Sequence, residues 1–278
     1  MKKIFYRQRE LQITKELSDY DTVVITGGSS GIGAEFLRTI RKLCNAPICN
    51  ISRTQPDFLN ELKDVVHLPC DLSNLDELKC ALPKILEFIK ASSSKENPRL
   101  LLINNAGFGS YGEFPQPNID RNLEMIRLNV SALTFLCGEL LNIIKAGKGS
   151  IVNISSIAAY QPCPILSVYA ATKSYVKSFS LALAYELKKY GCKCLCVCPG
   201  PTSSNFFRAA GFDSPPLAGS YGHIPADVVM ASLSALSKGK KLVIVGVLNK
   251  IQCLIIKFLP ENFVLFLSGI ILERVRRQ

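Results

Sequence analysis

Seven short runs of aliphatic and β-branched residues, spaced along the first 246 positions, constrain this chain more than any other feature. They are TVVIT (22–26), PICNIS (47–52), VVHLP (65–69), LLLINN (100–105), SIVNIS (150–155), CKCLCVC (192–198) and KLVIV (241–245). Longer stretches with helical spacing of apolar residues lie between them, clearest over Leu75 to Lys90, Ile119 to Ile144 and Val168 to Tyr190. A nearly continuous apolar strand must be buried on both faces, and strands alternating with helices pair in parallel. The expected fold is therefore α/β: one doubly wound domain with a seven-stranded parallel sheet. Pro83 falls inside the 75–90 pattern and should kink or delay that helix.

Three segments follow: an N-terminal extension (1–20) that reads as a helix packed outside, the α/β domain (21–246), and an apolar, basic tail (247–278). The first 20 residues mix charge with apolar positions and lack the unbroken apolar core of a signal peptide, which predicts a cytoplasmic protein. Eleven cysteines in such a chain read as reduced thiols serving as small hydrophobes. Cys192, Cys194, Cys196 and Cys198 alternate along one strand face, so they cannot converge tetrahedrally on an ion, and no metal site is expected. His67 and His223 have no ligand-like spacing and read as structural or surface residues. The net charge is +11, and residues 238–278 alone hold eight Lys or Arg against two Glu. The basic residues there are interleaved with apolar runs and without aromatic stacking platforms. That pattern disfavours nucleic acid and points to an anionic membrane surface.

The first run leads into Thr26-Gly27-Gly28-Ser29-Ser30-Gly31-Ile32-Gly33 and then into a helical stretch. Glycines in a strand-to-helix turn let the backbone approach a pyrophosphate at the helix N-terminus. The second run ends Ser52-Arg53, where a chain preferring NAD would carry a carboxylate on the ribose 2′-hydroxyl. A guanidinium there suits a 2′-phosphate, which favours NADP(H) over NAD(H). The alternative is an arginine solvated at a strand end. Tyr169 and Lys173 are spaced i, i+4 and so share one helix face. An ammonium beside a phenol favours phenolate. Ser156, at the end of the fifth run, could hold a carbonyl oxygen beside that phenol.

Taken in order, these motifs resemble those of the short-chain dehydrogenase/reductase family over about residues 22–246, and within it the 3-oxoacyl reductase and hydroxysteroid dehydrogenase-like branches. The resemblance implies a Rossmann-type fold with the T-G-x-x-x-G-x-G turn on the cofactor. It implies that Asp71-Leu72 holds the adenine, and that Asn105, Ala106 and Gly107 of an N-N-A-G signature line the cofactor. Pro199, Gly200, Thr202 and Ser204 would close over the nicotinamide carboxamide. It further implies a catalytic tetrad of Asn129, Ser156, Tyr169 and Lys173, with Tyr169 exchanging the proton, Ser156 orienting the substrate oxygen, Lys173 binding ribose and Asn129 supporting a proton relay.

The expected activity is NADP(H)-dependent hydride exchange with the carbonyl or secondary alcohol of a small lipophilic substrate, by a homodimer or homotetramer. A nucleotide-binding sensor or scaffold without turnover is the alternative, and the intact tetrad argues against it. For the tail, two readings stand: peripheral attachment to a membrane, or packing on the domain or a subunit interface.

Overall fold

The computed structural model describes residues 2–203 and 222–276. Its strands are β1 (Thr22–Thr26), β2 (Ile48–Ser52), β3 (Val65–Pro69), β4 (Leu100–Asn104), β5 (Ser150–Ile154), β6 (Lys193–Cys198) and β7 (Leu242–Ile244). They form one seven-stranded sheet in the order β3-β2-β1-β4-β5-β6-β7, with every neighbouring pair parallel. A single row, Val66–Cys49–Val24–Leu102–Ile151–Cys194, crosses six strands in register.

The period-2 alternation of strand side chains divides the core in two. Val24, Cys49, Leu102, Ile151 and Cys194 face one layer of helices, and Val23, Ile25, Ile103, Val152, Leu195 and Val197 face the other. The cysteines of the sixth run fill the space between sheet and helix, and Cys194, Cys196 and Cys198 are buried.

The first layer contains α3 (Leu75–Ala91), α4 (Ile119–Ile126), α5 (Leu133–Glu139), α6 (Leu141–Ala146) and α7 (Ser167–Leu187). Asn74 caps α3, its side chain accepting from the amides of Asp76 and Glu77 at 3.1 and 3.2 Å. Pro83 neither delays nor ends this helix. The expected long helix from 119 to 144 is instead divided, with a π turn at Arg127–Ala132 and a break at Leu140. Periodicity alone does not show such a turn, which inserts one residue without disturbing the apolar stripe.

On the other face lie α1 (Lys2–Ser18), α2 (Gly31–Leu43) and α8 (Pro225–Ser237). The N-terminal segment is more than an outside extension. Ile13, Leu17 and Tyr20 are buried in the same core cluster as Phe36, Ile40 and Val228. The Tyr20 hydroxyl lies 2.6 Å from Ser150 Oγ and 2.9 Å from Glu16 Oε1, and Glu16 also accepts from Lys193 Nζ at 2.7 Å. Arg9 donates to the Met230 carbonyl at 2.7 Å. Two tail helices, α9 (Val247–Ile256) and α10 (Glu261–Arg276), follow β7.

This packing makes α1 part of the folding unit. Leu17→Ala should destabilise the protein by about 2–5 kcal/mol in denaturant titration, whereas Leu11→Ala, at a position 62% exposed, should change it by less than about 0.5 kcal/mol. Equal small effects would mean that α1 is not part of the cooperative core.

Candidate active site

In a parallel sheet all strands end on one edge, and the loops there meet where the winding reverses, between β1 and β4. The turn after β1 is pressed against the loop after β4. Thr26 Oγ1 accepts from the amides of Asn105 and Ala106 at 3.0 Å each, and Asn105 Nδ2 donates to the carbonyls of Thr26 and Gly27 at 3.0 Å. Gly27 has φ +70°, and a Cβ on it would sit 2.9 Å from the Ala106 Cα. A Cβ on Gly33 would collide with the Gly27 carbonyl oxygen. Both positions therefore require glycine.

Ser30 is the N-cap of α2 and makes no side-chain cap hydrogen bond, so the first amides of the helix are left to whatever lies in front of them. That space is a cleft of about 1120 Å³, which is lined there by Gly27, Ser29, Ser30, Gly31 and Ile32. Uncapped amides at a helix N-terminus, with backbone bare of Cβ atoms, fit a pyrophosphate.

Further along, the cleft is lined by Ser52, Arg53, Asp71, Leu72, Asn105, Ala106 and Gly107. Arg53 is 61% exposed along its side chain and lies 3.8 Å from Glu124. Glu124 also pairs with Arg121 at 2.7 Å. Burial works against the Asp71 carboxylate, yet hydrogen bonds from the Ser73 amide and hydroxyl, with the charges of Arg53 and Arg127, hold it below the usual carboxylate range. Ser156, Tyr169, Lys173, Pro199, Gly200 and Thr202 line the opposite part of the same cleft. Thr26, Gly33 and Asn129 stand behind its surface, and Ser204 lies outside the described residues.

Ser156 caps a short turn after β5, its Oγ accepting from the Ala158 amide at 3.1 Å, and it also hydrogen-bonds the Tyr169 side chain. Lys173 is buried, one turn along α7, with Nζ 5.8 Å from the Tyr169 ring centroid. It donates to the Ile154 carbonyl at 3.0 Å, and Ser155 Oγ donates to the Lys173 carbonyl at 2.7 Å. Asn129 projects from the π turn. Its Oδ1 accepts from the Phe108 amide at 3.1 Å, and its Nδ2 donates to the Phe108 carbonyl at 2.9 Å and to Thr172 Oγ1 at 3.0 Å. Gly107 passes between them, so that a Cβ there would lie 2.8 Å from Asn129 Oδ1 and 3.3 Å from Lys173 Nζ. The asparagine thus clamps the loop that carries Gly107 against the lysine.

Burial sets the proton affinities. It pushes Tyr169 up to about 12, although the Ser156 hydrogen bond works the other way, and it pulls Lys173 down to about 8. Desolvation has the largest effect on the Tyr169 phenol and favours its protonated form.

Several residues of this region carried no functional reading from sequence. Asn50 accepts from the Gly28 amide at 2.9 Å and donates to Ser52 Oγ and His67 Nδ1, tying the glycine turn to β2 and β3. An asparagine inside an apolar strand was its only signal. His223 is no surface residue, because it lines the cleft and lies 3.2 Å from Asn249 Nδ2. The tail adds Val247, Leu248, Asn249, Gln252, Ser268, Ile271 and Leu272 to the cleft wall.

The sequence model of the short chain dehydrogenase family matches residues 21–213. An uncharacterised oxidoreductase of Schizosaccharomyces pombe is 31% identical over 173 residues, which cover 61% of this chain and 56% of that protein. A very-long-chain 3-oxoacyl-CoA reductase of Rattus norvegicus is 32% identical over 178 residues, covering 60% of this chain and 55% of that one. This chain thus matches little more than half the length of either relative. A short-chain dehydrogenase from Sphingobium yanoikuyae, solved in complex with NADPH, superposes with a TM-score of 0.70 at 28% identity, covering 84% of this chain and 91% of that one.

Lys173 allows a test that needs no substrate. Its proton affinity is depressed on folding, so the cost of burying its charge is fully present below about pH 8 and is relieved as pH rises toward the ordinary lysine value of 10.5. Lys173→Met removes that cost but leaves the Ile154 carbonyl without its donor. The net result at pH 7 should be a stabilisation on the order of 2 kcal/mol that shrinks between pH 8 and 10 in chemical denaturation. A variant less stable than wild type at pH 7 would show that the buried ammonium is compensated.

Proposed function

The chain belongs to the short-chain dehydrogenase family, nicotinamide-dependent oxidoreductases, and from that premise we propose that it is an NADPH-dependent carbonyl reductase acting on a lipophilic ketone. The observation that carries this reading is the meeting, in one cleft, of an uncapped glycine-rich helix N-terminus with the Ser156–Tyr169–Lys173 cluster.

Bound NADPH would supply the hydride. The remaining chemistry belongs to the chain. Ser156, fixed by the Ala158 amide, orients the carbonyl oxygen. Tyr169 delivers the proton to that oxygen as negative charge develops on it. A phenol pushed up to about 12 is protonated throughout the neutral range, which is the form reduction needs, whereas alcohol oxidation needs the phenolate and should speed up as pH rises. Lys173 stands within reach of both the ribose side of the cleft and the phenol, and Asn129 holds the Gly107 loop against it. Arg53 reads a 2′-phosphate, with Glu124 as its partner until then.

The wall formed by Gln161, Cys163, Leu166 and the tail is mostly apolar, with Cys163, Leu166, Leu248, Ile271 and Leu272, which supports a lipophilic substrate. Among the described residues no helix is long and apolar enough to cross a membrane. The basic, apolar tail supports reversible attachment at a membrane surface.

Tyr169→Phe should lower turnover by roughly 10²–10⁴-fold while nucleotide affinity, read by calorimetry, stays within about twofold. A variant keeping a tenth of the wild-type rate, a loss under about 1.4 kcal/mol, would remove Tyr169 from the proton-transfer role. Arg53→Ala should weaken NADPH relative to NADH by about 1–2 kcal/mol, reduced from a buried contact by the exposure of the side chain. An equal effect on both nucleotides would mean that Arg53 reads no phosphate.

A further inference from the structure

The tail helices are amphipathic in the wrong sense for a surface helix. Their buried positions are few, with Cys253, Val264 and Ser268 packed inward and Ser268 Oγ donating to the Pro162 carbonyl at 2.9 Å. Asn249 is turned in as well, donating to the Val245 carbonyl at 2.7 Å. Large apolar side chains point outward instead. Phe258 is 81% exposed and Val247 70%, and Leu248, Phe266, Leu254 and Ile271 are each more than half exposed. Residues 247, 251 and 254 recur at i, i+4 and i+7 on the outward face of α9, and Phe258 extends that face into the turn that follows the helix. Exposed single apolar residues are ordinary, but this many large apolar side chains on α9, the turn after it and α10 mark a surface with a partner.

Two observations identify that partner. The first is continuity with the cleft: Val247, Leu248 and Ile271 are outward-facing and also line the cleft that contains Ser156 and Tyr169. A second copy of the chain seated on this face would cover that lip, whereas lipid can flow past it. The second is charge. Exposed Lys250 and Lys257 flank these side chains, and residues 247–278 hold five Lys or Arg against two Glu. The helices, 10 and 16 residues long, fall short of the roughly 20 residues that cross a bilayer and would lie flat on it.

We infer that α9 and α10 form a lipid-docking lip, which seats the protein on an anionic bilayer and admits a membrane-dissolved ketone sideways into the cleft. This rests on the reductase reading for the fate of the ketone only. Docking and loading can be observed without turnover.

The test uses the full chain and the double variant Phe258→Asp/Phe266→Asp, whose side chains do not line the cleft. Each is mixed with vesicles of phosphatidylcholine containing phosphatidylglycerol, loaded with a long-chain ketone that bears a photoactivatable diazirine. Wild type should float with these vesicles, be released at least severalfold by high salt, and be labelled on Gln161, Cys163 or Leu166 inside the cleft. The double variant should lose at least tenfold of both flotation and cleft labelling, while its unfolding transition and nucleotide affinity match wild type. Wild type that ignores the vesicles, or label confined to the outer faces of α9 and α10, would overturn the inference. So would a dimer that the double variant dissolves in the absence of any flotation, which would make the face a subunit interface. Absence of ketone reduction alongside normal flotation and cleft labelling would count against the reductase reading alone.

Discussion

Every strand of the sheet is parallel and both of its faces are covered by helices, so loop residues can meet only along the edge where the strands end. The hydrogen bonds between Thr26 and the Asn105–Ala106 backbone fasten that edge at the point where the winding reverses. The cleft depends on this fastening. It sets the bare glycine turn on one side and, through Gly107, holds the lysine and asparagine on the other. Residues as distant in sequence as Gly27 and Lys173 thereby face one volume.

Desolvation is the dominant electrostatic effect within that volume. It disfavours phenolate and ammonium alike, and it acts on two groups a single helical turn apart. The site thus holds a proton on Tyr169 and carries an expensive charge on Lys173, offset only by the Ile154 carbonyl and by neighbouring polar groups. Natural folds keep such costs where chemistry uses them. Ser155, adjacent to Ser156, bonds the backbone of Lys173, so the two strand-end serines position the two ends of the proton-handling pair.

Much of this organisation was legible in the sequence because it is written in period and order. Seven apolar runs become seven parallel strands, and the glycine turn, Ser156 and the Tyr169–Lys173 pair all fall at strand ends or one turn into a helix. What was not legible depends on three-dimensional neighbours. The π turn that presents Asn129 leaves the apolar stripe of its helix intact. Asn50 looks like an isolated polar defect in β2 until its three partners are seen. His223 is held at the cleft by backbone hydrogen bonds with Pro201 and Ser203, twenty or more positions earlier in the sequence. The balance of proton affinities escaped because spacing shows which groups are near, whereas burial decides which charge survives. One face of the tail packs on the domain, and the other is exposed.

Hydride transfer, as opposed to mere nucleotide sensing, is what the cleft is built for in this reading. The most direct measurement supplies NADPH deuterated at nicotinamide C4, with a panel of 3-oxoacyl thioesters and steroid ketones, and examines the products by mass spectrometry. Deuterium is expected on the new carbinol carbon, from one face of the nicotinamide, with at least one lipophilic ketone. Tight NADPH binding with no deuterium in any product would contradict that reading and would leave a nucleotide-binding protein without turnover.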